Sequence, residues 1–523
     1  MAHPQPAVVR SPDIDDSLVG RYLAAVRAVD SYAASAYPQP ERKQHPGARR
    51  WPLPWPGPGS PPLTGAALDQ LSALLLGFGP RRVETLTSAG FSALSGGPLV
   101  PVVARLLPQW LTLRWTVPSG GGFYPTELYL AWAGGADLPA GIYHYDHLHH
   151  CLEHLRSGSP ARHLDRLLGP GPPRHALLLA HRPWKNASKY GIFGYRLSLM
   201  DAGILLGQLL TSPSVGSARL DPDPALAAEL LGLDSELETC YATIEFPATT
   251  PVADPGTEPL TPISAVPPTG LDDDRRSLRN ADPSVIALHR ATLADRTAPA
   301  VDPAPSTSGP YERSAVELPP VAPLDLARAA ARRSSAGNLG PGLTVRQLAA
   351  VLAYAGGGRA STPALAALAR DPLYPSIWCL ARRVDGLPPD AYRYDLRRRL
   401  LVPSAPPSAV DTEAALPHLV DLRMAYAGAT LYIVSGGPSG AALSPPAFRR
   451  QLMLAGVALQ LAVLAGQAVG AASRPLGGLT ADAVAARMGL PAGAVPLVQL
   501  LLGAPAPRPG ALAAHLTTGD SHA

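Results

Sequence analysis

Lysine is scarce in this sequence of 523 residues, where it occurs only as Lys43, Lys185 and Lys189. Arginine supplies nearly all the positive charge and stays protonated, whereas a lysine amine can give up its proton when its surroundings lower its pKa. Lys185 and Lys189 also lie close together in the sequence. The scarcity of lysine therefore hints at a proton-transfer role for one of them.

A strong charge of either sign is also missing, because the formal net charge is only +4 at pH 7. No run of basic residues is interleaved with aromatic residues, so the composition argues against nucleic-acid binding. The hydrophobic content of 46% is ample for packed cores. The length suits two or three domains of ordinary size.

The sequence has only three cysteines, Cys151, Cys240 and Cys379, and their spacing matches neither a disulfide framework nor a zinc site. The N-terminal residues contain no apolar stretch after a basic start, which argues against a secretory signal. We therefore expect a cytoplasmic protein in a reducing compartment.

One apolar segment, Leu452 to Ala472, carries no charge over a length that could cross a bilayer. Its glutamines and glycines make it less apolar than a typical span. Helices that are apolar on all sides also occur in the cores of large proteins. We therefore predict a buried helix and no membrane association.

The composition changes from about Pro247 to Pro323, where Pro, Thr, Ser and Asp dominate. Such a segment cannot bury enough apolar surface to form its own fold, so we predict a linker at residues 247–322. A short helical pattern from Ser284, SVIALHRATLAD, could dock on a neighbouring domain. The predicted domains are residues 63–246 and 323–523, and residues 1–62 form an N-terminal extension with a helical segment.

The two predicted domains repeat one another in the same order, which indicates a tandem duplication. Four pairs of segments correspond, beginning at Leu68 and Val345, Leu138 and Leu387, Leu199 and Leu452, and Leu230 and Arg487. They read in turn as a helix, a strand pair, a long apolar helix, and a helix end followed by a strand. Each half is therefore predicted to be an α+β domain, and the halves are expected to pack as an internal pseudo-dimer.

In the segment VPSGGGFYPTELY, Pro118 and Ser119 are followed by three glycines, the first two of which are Gly120 and Gly121. A predicted strand comes shortly after them. Glycine at such a position lets a flat or phosphorylated ligand approach the backbone closely. A structural turn explains the same pattern, so the motif gains weight only from its neighbours.

Lys189 and Tyr190 precede a glycine at the predicted mouth of a buried helix that also carries Asp201. A lysine beside a tyrosine can act as a proton-transfer pair. Burial and a neighbouring positive charge such as Arg196 would lower the lysine pKa toward neutrality. A surface lysine next to a packed tyrosine is the alternative interpretation.

Arg332, Arg333 and Ser334 precede an amphipathic helix in the second half, where two guanidiniums and a hydroxyl can hold a phosphate. Arg474, after the long apolar helix, could add a further contact. The Arg-Arg-Ser pattern is common in proteins, so by itself it indicates little.

Five histidines surround one predicted hairpin: His144, His147, His149, His150 and His154. Its counterpart in the second half has arginines where these histidines stand, and arginine does not bind metal. We therefore predict a solvent-facing hairpin without a metal.

Together, the segments PSGGGFYPTELYL, LPAGIYHYDHLHHCLEHL, KYGIFGYRLSLMDAG and RRSSAGNLGPGLTVRQLAAVLAYAG resemble the SagB-type (McbC-like) dehydrogenases. These are the azoline oxidases of microcin and streptolysin biosynthesis, within the nitroreductase superfamily. The resemblance covers most of both halves and implies a nitroreductase fold with FMN at a two-fold interface. It also implies that thiazoline or oxazoline rings, installed by a cyclodehydratase in a ribosomally made precursor peptide, are oxidised to thiazoles or oxazoles.

The same resemblance assigns roles to residues. Lys189 and Tyr190 would be the catalytic pair. The phosphate of FMN would be held by Arg332, Arg333 and Ser334, and the flavin would be contacted by Pro118, Ser119, Gly120 and Gly121. Arg196 and Arg474 are further candidates for cofactor binding.

The departures from the family pattern are complementary. The first half has no recognisable Arg-Arg-Ser motif, unless residues 49–51 are a remnant, and the second half has lost the Pro-Ser-Gly-Gly and Lys-Tyr-Gly motifs. We therefore predict one composite site and one FMN per chain. Ala336 stands where a further arginine is expected, which leaves the exact phosphate contacts open.

Two other functions fit the sequence. An FMN-dependent reductase of small nitro or quinone compounds would use a nicotinamide donor and would not need the Lys189 and Tyr190 pair. A non-catalytic scaffold subunit of a peptide-modifying complex would explain the decay of the second half, but not why the remaining motifs are complementary.

Overall fold

The computed structural model describes residues 17–27, 41–54, 67–86, 111–135, 137–247, 259–294, 315–336, 339–340, 342–404, 427–436, 443–506 and 511–515. Within these residues lie twelve α-helices: α1 (Leu18–Arg27), α2 (Ala67–Leu76), α3 (Ala161–Leu168), α4 (Trp184–Leu209), α5 (Pro224–Leu231), α6 (Leu271–Arg279), α7 (Pro283–Ala294), α8 (Leu326–Arg332), α9 (Val345–Ala355), α10 (Pro363–Leu368), α11 (Pro445–Ala468) and α12 (Ala481–Met488).

The same residues contain nineteen β-strands: β1 (Arg49–Pro52), β2 (Pro80–Leu86), β3 (Leu111–Trp115), β4 (Thr126–Trp132), β5 (Gly141–Asp146), β6 (Cys151–Ser157), β7 (Arg174–His181), β8 (Ser217–Leu220), β9 (Thr239–Pro247), β10 (Thr261–Pro262), β11 (Val316–Glu317), β12 (Leu339–Gly340), β13 (Ser376–Ala381), β14 (Asp390–Asp395), β15 (Leu400–Pro403), β16 (Ala429–Val434), β17 (Ala472–Leu476), β18 (Pro496–Pro505) and β19 (Ala511–His515).

Two eight-stranded sheets contain most of the described strands. The first has the order β1-β6-β5-β4-β7-β9-β8, with β10 beside β6. The second has the order β11-β15-β14-β13-β16-β18-β12, with β17 beside β18. The order of the strands from β1 to β9 in the first sheet matches the order from β11 to β18 in the second sheet. This repetition confirms the predicted α+β class and the two-domain pseudo-dimer.

Side-chain contacts repeat as well. The Tyr143 hydroxyl on β5 donates to the carbonyl of Pro139 at 2.7 Å, and the Tyr392 hydroxyl on β14 donates to the carbonyl of Pro388 at 2.8 Å. In the hairpin that follows each strand, His150 and Arg399 both have a left-handed backbone, with φ of 51° and 55°. The two hairpins therefore share one geometry despite their different side chains.

The long helices α4 and α11 form the centre of the pseudo-dimer. A Cβ on Gly203 would overlap the carbonyl of Met453, and a Cβ on Gly456 would overlap the carbonyl of Met200. These contacts are related by the internal two-fold, since both pairs occupy equivalent positions in the repeat. The main core contains side chains from both halves, and each half also has a smaller hydrophobic cluster of its own.

The apolar segment that begins at Leu452 forms most of α11. Among the described residues, α11 is the one helix long and apolar enough to cross a membrane. Its most apolar window is 89% buried within the protein. The burial agrees with the predicted core helix.

The predicted linker is more structured than its composition indicates. Strands β10 and β11 add short edges to the two sheets, α6 packs on α4 of the first half, and α7 packs on α1 and on α11 of the second half. Asp274 on α6 is buried and accepts a hydrogen bond from Arg182 Nε at 2.6 Å. The expectation that residues 247–322 bury little surface is therefore wrong for residues 259–294, because buried polar partners on the first half compensate for their polar side chains. The helical pattern from Ser284 lies in α7.

A third sheet contains strands from both halves, with the order β19-β2-β3. Its strand β19 comes from the second half and pairs antiparallel with β2 of the first half. The C-terminal strand therefore crosses to the opposite domain.

Candidate functional site

The Lys-Tyr-Gly motif lies at a sharp break in α4. Gly191 has φ 53° and ψ −136°, a conformation that residues with a side chain rarely adopt, and it separates the first turns from the rest of the helix. Gly194 packs directly on this first piece, since its Cβ would lie 2.8 Å from the carbonyl oxygen of Asn186. The backbone geometry therefore explains why glycine occurs at both positions. Lys189 and Tyr190 lie at the end of the first piece of the helix.

The glycine turn lies against this break. Gly121 and Gly122 have φ of 68° and 75°, and a Cβ on Gly121 would lie 2.8 Å from the Tyr190 hydroxyl. The rings of Tyr190 and Phe123 meet edge to face with centroids 6.3 Å apart. Lys189 Nζ lies 5.2 Å from the centroid of the Tyr190 ring. The structure thus brings two of the predicted motifs together.

Asp201, deeper in α4, holds the other end of the turn. Its carboxylate accepts hydrogen bonds from Ser119 Oγ at 2.7 Å and from the Gly120 amide at 3.0 Å. The Asn186 amide also donates to it, at 3.4 Å. The Ser119 hydroxyl in turn accepts from the Tyr124 amide at 3.0 Å.

The Arg-Arg-Ser motif reaches the same region from the second half. The buried Arg333 guanidinium donates to the carbonyls of Trp115, at 2.8 Å, and of Thr116, which lead directly into Pro118. Arg332 is exposed and Ser334 is half-buried. The motif therefore meets the strand before the glycine turn across the interface between the halves.

The remaining candidate arginines bind backbone. Arg196 Nη2 donates to the carbonyls of Pro496 and Leu497 at 3.0 and 2.6 Å, and Arg474 Nη1 donates to the carbonyl of Ala336 at 2.8 Å. Arg196 thus links the first half to the second, and Arg474 fixes the segment after Arg-Arg-Ser. Their role toward a cofactor stays a prediction.

Two titratable groups beside the motifs have raised pKa values. Burial raises the pKa of Asp201 to about 7, and its hydrogen bonds only partly offset this. Burial raises the pKa of Tyr190, and the charge of Asp201 raises it further. Both shifts favour the protonated forms, so the Tyr190 hydroxyl is protonated at neutral pH and can donate a hydrogen bond.

A lysine to which the sequence analysis gave no role, Lys185, has a lowered pKa. Burial and the neighbouring Arg182 lower the pKa of Lys185 to about 8. Its Nζ donates to the carbonyl of Tyr124 at 3.2 Å and lies 4.0 Å from a Glu127 oxygen. Lys189, one helical turn later, is only half-buried and therefore accessible.

Lys185 belongs to a buried ionic network behind the site. Arg182 Nη1 donates to Glu127 at 2.9 Å, and Lys43 binds both Glu238 and, at 2.6 Å, the Tyr129 hydroxyl. These charged side chains are almost fully buried, with opposite charges adjacent. Two of the three lysines therefore lie inside the first half, and Lys189 alone reaches the surface.

The histidine hairpin is not solvent-facing, contrary to the prediction. Four of its histidines are buried, and only His149 is exposed. His144 lies between Glu153 and Glu127, with ring nitrogens 2.9 and 3.4 Å from their oxygens. The burial escaped prediction because residues 41–54 cover this face of the sheet. His45 from that segment, with His144 and Glu153, forms a group that could hold a metal ion, with ligand atoms within 4.8 Å of one another.

The equivalent position in the second half carries salt bridges. Aligned by the repeat, Asp201 corresponds to Leu454 and Leu197 corresponds to Arg450. Arg450 binds Asp371, which stands in place of the glycine turn, at 2.6 Å, and it binds Asp221 of the first half at 3.1 Å. We call this the ionic lock; its fourth member is Arg449, which binds Asp221 at 2.7 Å.

Comparisons with solved structures agree with this architecture. A protein of Anabaena variabilis described as a nitroreductase is 17% identical with a TM-score of 0.67, and the match covers 94% of this chain and 100% of that chain. The nitroreductase-like fold expected from the resemblance is therefore confirmed over both halves. No family model matches the sequence, and no curated protein matches it.

Two further structures match less than half of this chain. One is from Ralstonia eutropha and is also described as a nitroreductase, with 19% identity, a TM-score of 0.29, and coverage of 40% of this chain and 97% of that chain. The other is the E. coli microcin synthetase McbBCD complex with truncated pro-MccB17 bound, with 20% identity, a TM-score of 0.26, and coverage of 44% and 82%.

Proposed function

We propose that this chain is an FMN-dependent dehydrogenase that oxidises thiazoline or oxazoline rings to thiazoles or oxazoles in a ribosomally synthesised peptide. One observation carries the proposal. Arg333 of the second half binds the strand that leads into Pro118, and the glycine turn after Pro118 lies against Lys189 and Tyr190. A composite site of this kind needs both halves, which accounts for the complementary loss of motifs.

The residues at this place fit a flavin. Gly121 and Gly122 are exposed, and no described atom lies within 4 Å of the position that a Cβ on Gly122 would take, so a flat ring can approach the backbone. Because Arg333 already donates to backbone carbonyls of the first half, we propose that it positions the Arg-Arg-Ser motif. Arg332 and Ser334 are then the contacts for the phosphate. Bound FMN would accept a hydride.

Oxidation of an azoline to an aromatic ring removes a hydride and a carbon-bound proton, so the chain has to provide a base. We assign this role to the amine of Lys189, which is accessible and takes the proton in its neutral form. The raised pKa of Tyr190 argues against a phenolate and supports a phenol that donates a hydrogen bond to the substrate.

The proposed partners are the azoline-containing precursor peptide and the cyclodehydratase that makes the azolines. We expect the protein to act in the cytoplasm, without nucleic acid or membrane. The internal pseudo-dimer replaces the second copy that a two-fold site would otherwise need.

The first test is the absorption spectrum of the purified protein, with released flavin identified and counted per chain. About one FMN per chain supports a single composite site. Two per chain would mean that the ionic lock does not abolish the second site. A chain that binds no flavin after FMN is added would favour the scaffold.

The second test compares Lys189→Ala with Lys189→Arg on an azoline peptide. Arginine keeps the charge but cannot act as a base, so both variants are expected to lose at least about 100-fold in kcat while still binding FMN. Full activity of Lys189→Arg would exclude Lys189 as the base. Rapid flavin reduction by a nicotinamide donor, unchanged in both variants, would instead indicate a nitro or quinone reductase.

A further inference from the structure

The turn that carries the three glycines combines a strained backbone with few backbone hydrogen bonds of its own. Gly121, Gly122 and Tyr124 all have left-handed backbones, with φ of 68°, 75° and 49°, and Tyr124 is not a glycine. Non-glycine residues in this region are strained and persist where the surroundings enforce them. Within the turn itself, two backbone bonds close the single 3-10 turn, at 3.1 and 3.4 Å.

Asp201 supplies the missing support from outside the turn. Its carboxylate accepts from both Ser119 and Gly120, and through Ser119 it connects to the Tyr124 amide. Both ends of the turn are thus tied to one buried side chain, which is only 6% exposed. Burial of a carboxylate is costly, so such a residue inside a long apolar helix needs a specific reason.

The repeat provides an internal comparison. At the position of Asp201 the second half has Leu454, and there the glycine turn is replaced by a segment containing Asp371. That segment is held by Arg450 instead, at 2.6 Å. The carboxylate and the glycine turn therefore occur together in one half and are both replaced in the other.

We propose that Asp201 is the positioning residue of this site, holding the turn of residues 119–124 in the shape that receives the flavin. This inference rests on the proposed function for the identity of the ligand. It assigns Asp201 no contact with substrate and no step in the chemistry. Its effect is exerted through Ser119 and Gly120.

The test is hydrogen exchange of residues 116–125, measured by mass spectrometry on the full chain before FMN is added. We compare the wild type with Asp201→Leu, which copies the second half, and with Asp201→Asn, which keeps the shape. Leucine accepts no hydrogen bond, and the asparagine NH2, unlike a protonated carboxyl oxygen, cannot accept one from Ser119 or Gly120. Both variants are therefore expected to exchange at least about tenfold faster in this segment, with FMN affinity at least about tenfold weaker. The matched control is Arg450→Leu, the reciprocal exchange in the second half, which should leave this segment protected.

The pH dependence separates positioning by this carboxylate from a general loss of packing. The groups that face Asp201 are the neutral donors Ser119, Gly120 and Asn186 and the phenol of Tyr190. Opening the turn exposes Asp201 and returns its pKa toward the ordinary value, so the closed turn binds the proton more tightly. Protection in the wild type is therefore expected to fall between pH 5 and pH 8, after correction for intrinsic exchange, and to stay constant in Asp201→Asn.

Unchanged exchange in Asp201→Asn and Asp201→Leu would overturn the inference and leave the proposed function intact. If Asp201→Leu does not fold, Asp201→Asn decides alone. A wild-type chain that binds no FMN, with faster exchange in the variants, would overturn the proposed function and the flavin part of this inference, but not the support of the turn by Asp201.

Discussion

Gly203 and Gly456 meet where α4 and α11 cross, so closely that a Cβ on Gly456 would lie 2.9 Å from the Cα of Gly203. Each glycine also lies against a backbone carbonyl of the opposite helix. The interface between the halves thus depends on direct contact between helix backbones, which any larger residue would separate.

Gly203→Ala is therefore expected to destabilise the protein by on the order of 3 kcal/mol, because overpacking forces the helices apart. Gly466→Ala on the partner helix α11 is the matched control. Its Cβ would meet neighbours only at 3.8 Å, so the better helix propensity of alanine should leave stability unchanged or raise it by up to about 1 kcal/mol. Denaturant unfolding measures both, and equal effects at the two positions would argue against the close crossing.

The ionic lock makes a second prediction about stability. Asp221 binds the buried Arg449 and also Arg450, and its φ of 58° suits asparagine as well as aspartate. Asp221→Asn removes the charge without straining the backbone and should lower the free energy of unfolding by about 2 kcal/mol, because a buried guanidinium loses its counter-charge.

Glu236→Gln is the control for Asp221→Asn, since the exposed pair of Glu236 and Arg290 should contribute less than about 1 kcal/mol. The measurement is denaturant unfolding of both variants at the same pH and salt concentration. If Asp221→Asn lowers the free energy of unfolding no more than the control does, the ionic lock does not contribute to stability.

Much of the fold could be predicted from the sequence because the chain repeats itself. Equivalent residues such as Gly203 and Gly456 lie at matched positions in two similar helices, and the hairpins around Tyr143 and Tyr392 form the same contacts. The proximity of Lys189 and Tyr190 to the glycine turn could be predicted because the family that the sequence resembles has both motifs. Their chemical roles remain predictions.

What escaped prediction depends on partners distant in sequence. The Asp-rich start of α6 looks solvated, yet Asp274 is buried because Arg182 provides the counter-charge. The histidine hairpin looks exposed, yet residues from the N-terminal extension cover it. The lowered pKa of Lys185 depends on its burial, which Lys189 does not share although both lie on one helix face. No local pattern contains that information.

His144 makes stability depend on pH. Burial opposes its charge, but the hydrogen bonds to Glu127 and Glu153 outweigh burial and raise its pKa to about 8. A histidine with a raised pKa contributes stability that is complete below the unfolded pKa near 6.5 and is lost as the pH rises through 8. We expect His144 itself to account for a loss of about 2 kcal/mol over this range, measured as the difference in pH dependence between the wild type and His144→Gln.

Unfolding measurements also test whether a metal ion binds at His45, His144 and Glu153. Because a proton on His144 already satisfies both carboxylates, chelation with EDTA should not change the unfolding transition. A transition that shifts with EDTA and is restored by zinc would show that a metal ion takes the place of the proton.

Lys185 and Lys189 form a matched pair for the last prediction, because they lie one turn apart on α4 but differ in burial. The lowered pKa of Lys185, about 8, means that the folded state binds fewer protons than the unfolded state between pH 8 and pH 10.5. Stability attributable to Lys185 should therefore rise over this range, by up to about 3 kcal/mol. Lys185→Met should remove this rise, whereas Lys189→Met should keep it and lose azoline oxidation. If Lys185→Met instead abolished activity with stability and flavin binding intact, the base would have to be assigned to Lys185, despite its burial.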